Sequence, residues 1–561
     1  MWQHNYHPVG GSLGASSLAA AVPIFVLFLM LGVLRKPAWM SAFAALGSAL
    51  IVALAIYGMP VPLAVISILY GAAYGLFPIA WIVFSSIMLY RLAVDTGKFE
   101  IIKNSVGNLT DDRRLQALFI AFSFGAFIEG AAGFGAPVAV SGAMLAGLGF
   151  DPFFAAGMCL LANTAPVAFG SIGIPIVTLA NVTGLPIMAL SAMVGRLCAI
   201  ISVIIPAYLI TVMAGPARAL EVLPAIIACG LSFAGMQFFA SNFIGPDLTD
   251  ILSSLTCIIV MVAVLKLWKP ARIMRLESDT PITRTAGQYS GREIFVAWSP
   301  YLLLVVCVLA VGAPSIKNAM DARTHALLPA FVAHSPTVMN GLFVPGLHNA
   351  ITRIPPVTPT ASPYAAVFTF NWLTASGTAC FIATLLAAAF LRVGASQLAG
   401  IYVATFKQLK FAMLTIAAML GLAYLMNYSG MTSTLGLQLA ATGGAFPFFG
   451  AVVGWLGVFL TGSDTSANAL FGNLQVVTAN ALNLNPVLMA AVNSAAGVMG
   501  KMISVQSIAV AVAATGMVAA DESRLFRFTI KHSVLLMAVM GVISMLYAYV
   551  FPGAIPVVPP K

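Results

Sequence analysis

Residues 122–150 read FSFGAFIEGAAGFGAPVAVSGAMLAGLGF, and residues 454–473 read GWLGVFLTGSDTSANALFGN. Each is an apolar run interrupted by small residues and an acid, Glu129 in the first and Asp464 in the second. In hydrocarbon every unpaired backbone group is costly, so irregular chain survives there only where it lines a polar cavity. A break also leaves free N–H groups at a new helix start, which favour an anion. Glycine lets the backbone approach a small ligand closely. Two such interruptions in one apolar chain predict spanning helices opened at mid-depth around a site.

The remainder of the chain agrees. Of 561 residues, 61% are hydrophobic and 7% charged, whereas a soluble domain carries about 25% charged residues. Charge cannot cover such a surface, so lipid is the main solvent. That excludes a cytosolic enzyme, a secreted disulfide scaffold and a disordered regulator. The six cysteines are single, widely spaced and set in apolar runs, with no CxxC or Cys/His pair, so no zinc or redox site is expected. Neither HExxH nor the phosphate-binding run GxxxxGK[ST] occurs; ATP is not a direct energy source, and no cofactor or metal is implied. Asp95-Thr96-Gly97 spells an aspartic-protease tripeptide but stands alone at a helix end beside Lys98.

A helix needs about 20 apolar residues to cross the ~30 Å hydrocarbon core. Such runs lie at 15–34, 38–58, 62–94, 187–213, 222–243, 248–267, 294–313, 367–391, 411–428 and 530–551, with interrupted regions at 115–183 and 445–517. The predicted fold is an all-α polytopic membrane protein of about 12–14 membrane helices, broken and re-entrant segments included, with two inverted-topology repeats. Its segments are 1–114, N-terminal helices; 115–213, a first repeat core; 214–293, helices with a basic loop; 294–366, a helix and an extracytoplasmic segment; 367–444, further helices; 445–520, a second repeat core; and 521–561, a C-terminal helix. The stretch before the first run has no Lys or Arg, so that run reads as a retained span rather than a cleaved signal.

Lys and Arg prefer cytoplasmic loops. Arg35 and Lys36 follow the first span and place the N-terminus outside; alternation then puts Arg113, Arg114, Arg218, the basic linker from Lys266 to Arg292 (Arg284 included) and Arg524 inside. Lys317, Arg323, Arg353 and Lys561 fall outside, the C-terminus with them. This asymmetry accounts for the net charge of +10 without a nucleic-acid partner. The segment 314–366 reads as a solvated loop, with a metal site on the irregularly spaced His325, His334 and His348 the lesser alternative.

The two interrupted regions match. Phe124–Gly130 aligns with Leu456–Gly462, Asp151-Pro152 with Asn485-Pro486, Asn163-Thr164 with Asn493-Ser494, and Gly170 with Gly500. By the charge rule the first region starts inside and the second outside. Paired broken helices in inverted halves point to a mid-membrane substrate site in a secondary transporter. Close packing through small residues would explain one Gly-rich stretch, but four of them, 129–137, 163–175, 461–473 and 493–507, fall in two pairs with polar residues.

Four ionisable residues lie deep in apolar sequence: Glu129, Arg196, Asp464 and Lys501. Each costs at least about 2.5–3.5 kcal/mol at the bilayer centre unless paired or hydrated. Two cations suit a carboxylate, which Arg grips bidentately; two acids suit proton carriage. The rival reading is a fixed ion pair. Ser463, Asp464, Thr465 and Asn468 also compose an alternative oxygen-lined cation site. An intramembrane hydrolase built on Glu129 and Asp464 is the enzymatic alternative, although neither acid sits in a Gly-x-Gly-Asp context.

The stretches at 122–150, LLANTAPVAFGSIGIPI, GWLGVFLTGSDTSANALFGNLQ, GKMISVQSIAVAVAATGM, NYSGM at 427–431 and LFRFTIKHS closely resemble the bacterial lactate permease family, glycolate permeases included. The resemblance covers nearly the whole chain and is weakest over 314–366. It implies a proton-coupled importer of L-lactate, D-lactate and glycolate in the bacterial inner membrane, not an enzyme, with membrane lipid and one small monocarboxylate as partners. Sodium in place of the proton is the alternative. On this reading Arg196 and Lys501 hold the carboxylate with the Gly133–Gly135 and Gly170–Gly173 breaks. Asn163, Asn468 and Asn493 meet the 2-hydroxyl, and Glu129, then Asp464, carries the proton. Leu197-Cys198 and Val505 depart from the family's usual pattern beside these positions.

Overall fold

The computed structural model describes residues 1–107, 109–133, 135–275, 289–328 and 340–557; Arg284, His334 and Lys561 lie outside the described residues. Among those described, eleven helices are long and apolar enough to cross a membrane, or up to twelve if the bent pair Pro486–Lys501 and Val505–Ala514 is one span. Large apolar side chains such as Leu18, Phe25 and Ile51 stand on their outer faces, at 69%, 60% and 68% exposure, a surface that lipid tolerates and water does not. The chain is a multi-pass, all-α integral membrane protein.

Helices approach closely where side chains are absent. Val61–Tyr74 crosses Ala395–Ser429 at Gly71, where a Cβ would lie 2.3 Å from the Leu420 carbonyl oxygen. Without a hydrophobic drive between helices in lipid, such contact is what holds them together.

Four expectations need correction. The run 367–391 is not one span: Val367–Thr369 is a strand pairing antiparallel with Gly341–Phe343, and the helix begins at Ser376. The run 411–428 is the far part of a 35-residue helix, Ala395–Ser429, whose earlier turns carry exposed Lys407 and Lys410 and so failed the apolar test. The gap between the run 411–428 and the interrupted region 445–517, expected as a connection, contains the helix Met431–Leu439. The 314–366 segment holds the helix Pro314–Leu327 and short strands, one of which, Ile351–Arg353, pairs with Trp2–Gln3 at the N-terminus.

Two hairpins and two broken helices carry the interior. In the first hairpin Arg113–Ala131 turns through Gly133 and Gly135 and returns as Ala136–Gly147. Both glycines have positive φ, +61° and +85°, which no Cβ-bearing residue adopts cheaply. The return brings Phe150 under the Arg113 guanidinium, 5.3 Å from the ring centre. Arg114 is fully buried, ion-paired to Asp112 at 2.8 Å and Glu221 at 2.7 Å, and donates to the carbonyls of Arg218 and Arg272. It is a structural clasp at the start of the hairpin. The first broken helix, Pro152–Ala162, starts at an Asp151 cap and resumes as Ile174–Thr183.

The second hairpin joins Phe446–Thr461 to Asp464–Ala481, and Gln475 Nε2 donates to the Gly450 carbonyl at 2.8 Å across it. The second broken helix, Pro486–Lys501, starts at an Asn485 cap, bends by 41° and continues as Val505–Ala514. Asp151-Pro152 and Asn485-Pro486 are therefore equivalent helix starts: a side-chain acceptor for the first free N–H groups, then Pro where no N–H is needed.

The four pieces pack reciprocally. The return arm of the first hairpin lies along Val505–Ala514, Gly135 facing Val510 and Gly142 facing Thr515. The return arm of the second lies along Ile174–Thr183: Asn468 donates to the Pro175 carbonyl at 3.2 Å, and Gly472 faces Leu179. Both hairpin tips and both helix breaks thus meet in one region.

Candidate functional site

A cavity of about 250 Å³ opens where they meet, lined by Glu129, Gly133, Gly135, Gly170 and Ser171 from one pair and Thr461, Ser463, Asp464, Thr465, Lys501 and Gln506 from the other. One water occupies about 30 Å³ of liquid, so the space suits several waters or an acid of a few carbons. The chain bends into it under strain: Gly170 (φ +56°, ψ −156°) and the β-branched Ile172 (φ +48°, ψ +43°) hold conformations that cost about 1–3 kcal/mol for ordinary residues. Such strain collects at working sites.

Lys501 supplies the cavity's cation. Its Nζ lies 3.0 Å from Glu129 Oε1, and Asn163 Nδ2 donates to Glu129 Oε2 at 3.1 Å. Glu129 is 3% exposed and Lys501 13%: both line the cavity, and the base is the more open of the two. Asp464 builds the opposite wall. Its Oδ2 accepts from Ser494 Oγ at 2.5 Å and Asn468 Nδ2 at 3.2 Å, while Oδ1 is buried without a partner. Gly497 makes room for that oxygen; a Cβ there would lie 2.6 Å from it.

Other expected residues are placed differently. Asn468 and Asn493 are buried behind the wall in a chain in which Gln475 donates to Asn493 and Asn493 donates to Asn468 at 2.9 Å; neither lines the cavity. Gly173 packs against Pro246–Asp247, where a Cβ would lie 2.8 Å from the Pro246 carbonyl carbon. Arg196 does not share a pocket with Lys501. Its Nε donates to Asn242 Oδ1 at 3.0 Å and its Nη1 to the Ala554 carbonyl. On Ile187–Ala214 the inward position is Cys198, within electrostatic reach of Asp464 and Asp250; at about 100° per residue, Arg196 points to the other side.

Sequence reasoning missed Asp250. It opens a long apolar run in GPDLTDILSS, where a helix-start acid passes as ordinary, yet it is 2% exposed and neither oxygen accepts a hydrogen bond of good geometry. A second cavity of about 1000 Å³ runs along the far halves of the same helices, lined by Tyr70, Tyr424, Asn181, Asn473, Asp247 and Arg353 among others. Arg353 stacks on Tyr364, 4.6 Å from the ring centre. Among the described residues no group of three His, Cys, Asp or Glu is disposed to hold a metal; His348 Nδ1 faces the Ala366 backbone instead.

Comparison with known proteins follows this geometry. The family model described as L-lactate permease matches residues 16–551. The L-lactate permease of Bacillus subtilis (strain 168) is 49% identical, covering 99% of this chain and 100% of that one. The glycolate permease GlcA of Escherichia coli (strain K12) is 45% identical, over 98% and 99%. The L-lactate permease of the same organism is 44% identical, over 99% and 100%. Among solved structures, the YdaH transporter of Alcanivorax borkumensis aligns with a TM-score of 0.42 at 13% identity, covering 86% of this chain and 89% of that one, a likeness too remote to bear on function. The hydrolase alternative is thereby set aside: a permease moves its substrate and is not an enzyme. A chain matched from end to end by such relatives, and folded around a lysine-bearing cavity between two hairpins, is a member of the L-lactate permease family.

Proposed function

We propose that this protein imports L-lactate and related 2-hydroxy monocarboxylates, D-lactate and glycolate among them, by proton symport across the bacterial inner membrane. The observation that carries the reading is the Glu129–Lys501 pair on the wall of a cavity sized for a short acid. In the empty protein Glu129 neutralises Lys501. An arriving carboxylate takes the ammonium, and the displaced Glu129, stripped of its counter-charge in a dry wall, is neutralised by a proton. One anion and one proton then enter together, and the loaded site carries no more charge than the empty one. Asn163, already bonded to Glu129, is placed to answer the change.

Two inverted repeats are part of this reading. Support comes from the matched helix starts at Asp151 and Asn485 and from the reciprocal packing of each hairpin on the other half's broken helix. The larger cavity, with Arg353 on its wall, serves as the antechamber on the side where the N-terminus and C-terminus lie, outside the cell.

A second reading puts sodium at Asp464, motivated by its unpartnered Oδ1 beside Ser463 and Thr465. Uptake of labelled lactate into vesicles, with an imposed pH gradient and with or without sodium, separates the two. Accumulation driven by the pH gradient in sodium-free buffer is the expected result. Accumulation that ignores pH and requires sodium rejects the proton reading.

A further inference from the structure

Asp250 is the second residue of the helix Thr249–Leu267, just behind the first hairpin tip. A Cβ on Gly130, the neighbour of Glu129, would lie 3.0 Å from the Asp250 Cβ. The charged groups facing Asp250 are Glu129 and Lys501, and Cys198 from the adjoining helix is within reach. Both carboxylate oxygens are buried without a hydrogen bond of good geometry, the Gly170 backbone N–H being the donor within reach. The field of a single helix end is too weak to sustain a charge so thoroughly stripped of water, and Lys501 is already engaged by Glu129. A buried carboxyl group in that position is neutralised by a proton.

Asp250 does not stand alone. Asp247 lies three residues earlier, in the 3-10 turn Pro246–Leu248 that leads into the same helix. It lines the larger cavity and accepts a hydrogen bond from Ser376 Oγ at 2.6 Å, with Lys317 the cation facing it. Glu129 lines the smaller cavity. Asp247 thus lines the large cavity, Asp250 lies in the interior against Gly130, and Glu129 lines the substrate cavity.

We propose that Asp247, Asp250 and Glu129 form a proton relay that feeds the substrate site by a path separate from the one the carboxylate takes. The relay rests on the proton-symport reading above. When the substrate carboxylate takes Lys501, the proton on Asp250 passes to the freed Glu129 carboxylate. Asp247 hands a proton to Asp250, and water in the large cavity restores Asp247. Net uptake is one proton and one anion, and no electron moves.

The test compares two transport modes of the full-length protein in vesicles. Net accumulation driven by a pH gradient needs the relay; exchange of labelled for unlabelled lactate at equal pH moves no net proton. Asp250→Asn, similar in shape and permanently neutral, is expected to lower pH-driven accumulation about tenfold or more while exchange stays within about twofold of wild type. Asp247→Asn should slow accumulation in the same direction. An infrared band of a protonated carboxyl group, present in the unloaded wild type, should vanish in Asp250→Asn. Wild-type accumulation in Asp250→Asn overturns the relay, and so does loss of both transport modes, which would make Asp250 structural. Should wild-type vesicles ignore the pH gradient altogether, the symport reading itself falls and takes the relay with it.

Discussion

Lys501 Nζ and Glu129 Oε1 meet at 3.0 Å although 372 residues separate them. The contact joins the tip of one hairpin to the break of the other half's helix. Removing Lys501 leaves a buried carboxylate without its cation, a loss of about 3–5 kcal/mol; removing Glu129 leaves the more open ammonium. Lys501→Gln should therefore unfold at lower temperature than Glu129→Gln, and the double variant should regain stability without regaining transport. Glu129→Gln should lose pH-driven accumulation and keep part of its lactate exchange. Thermal unfolding in detergent and vesicle uptake check both points.

Gly497 gives Asp464 its space. Gly497→Ala places a methyl group 2.6 Å from Oδ1 and 2.7 Å from Val458 Cγ2, overpacking that costs about 1–3 kcal/mol and turns the carboxylate. Uptake should fall by about tenfold. Gly47→Ala, with nothing within 4 Å, is the control and should transport normally.

Arg196 is bonded to Asn242 and the Ala554 carbonyl, away from the cavity. Arg196→Lys should leave the apparent affinity for lactate within about twofold while loosening the C-terminal segment. A large rise in KM would return Arg196 to the substrate site.

Arg114 fastens the start of the first hairpin to Asp112, Glu221 and the basic segment at Arg272. Arg114→Ala strands Asp112 and should cost about 3–5 kcal/mol, read as a marked drop in Tm. Arg114→Lys, which cannot reproduce the forked contacts, should recover only part of it.

His4 donates through Nε2 to the Tyr428 carbonyl at 2.9 Å. Burial lowers its pKa from 6.5 to about 4, the Tyr428 carbonyl opposing and Arg353 assisting. Between those values the unfolded chain binds the proton and the folded chain does not, so the contribution is complete above 6.5 and fades as pH falls toward 4. At about pH 5 the loss is about 2 kcal/mol. His4→Gln keeps a donor without titrating, and its Tm should fall less than the wild type's between about pH 7 and pH 5.

The membrane class, the two interrupted regions and the helix starts at Asp151 and Asn485 were legible because each depends on residues within a turn or two of one another. Glu129, Asp464 and Lys501 stood out because an ionisable group in apolar sequence is costly and needs a reason. Arg196 stood out by the same rule and went elsewhere. Asp250 escaped notice because an acid in a first helical turn is common, and only packing against Gly130 revealed that it had lost its water.

Composition and local pattern alone decided the solvent, the helices and where they break, since these follow from hydropathy, capping and backbone sterics along the chain. Which charges face one another was decided only in three dimensions. A helix turns about 100° per residue, so Cys198 faces inward and Arg196 does not, and the choice depends on neighbours hundreds of residues away. The same holds for Trp2–Gln3 on Ile351–Thr352 and for the meeting of Glu129 with Lys501: each is a long-range contact that no local signal encodes.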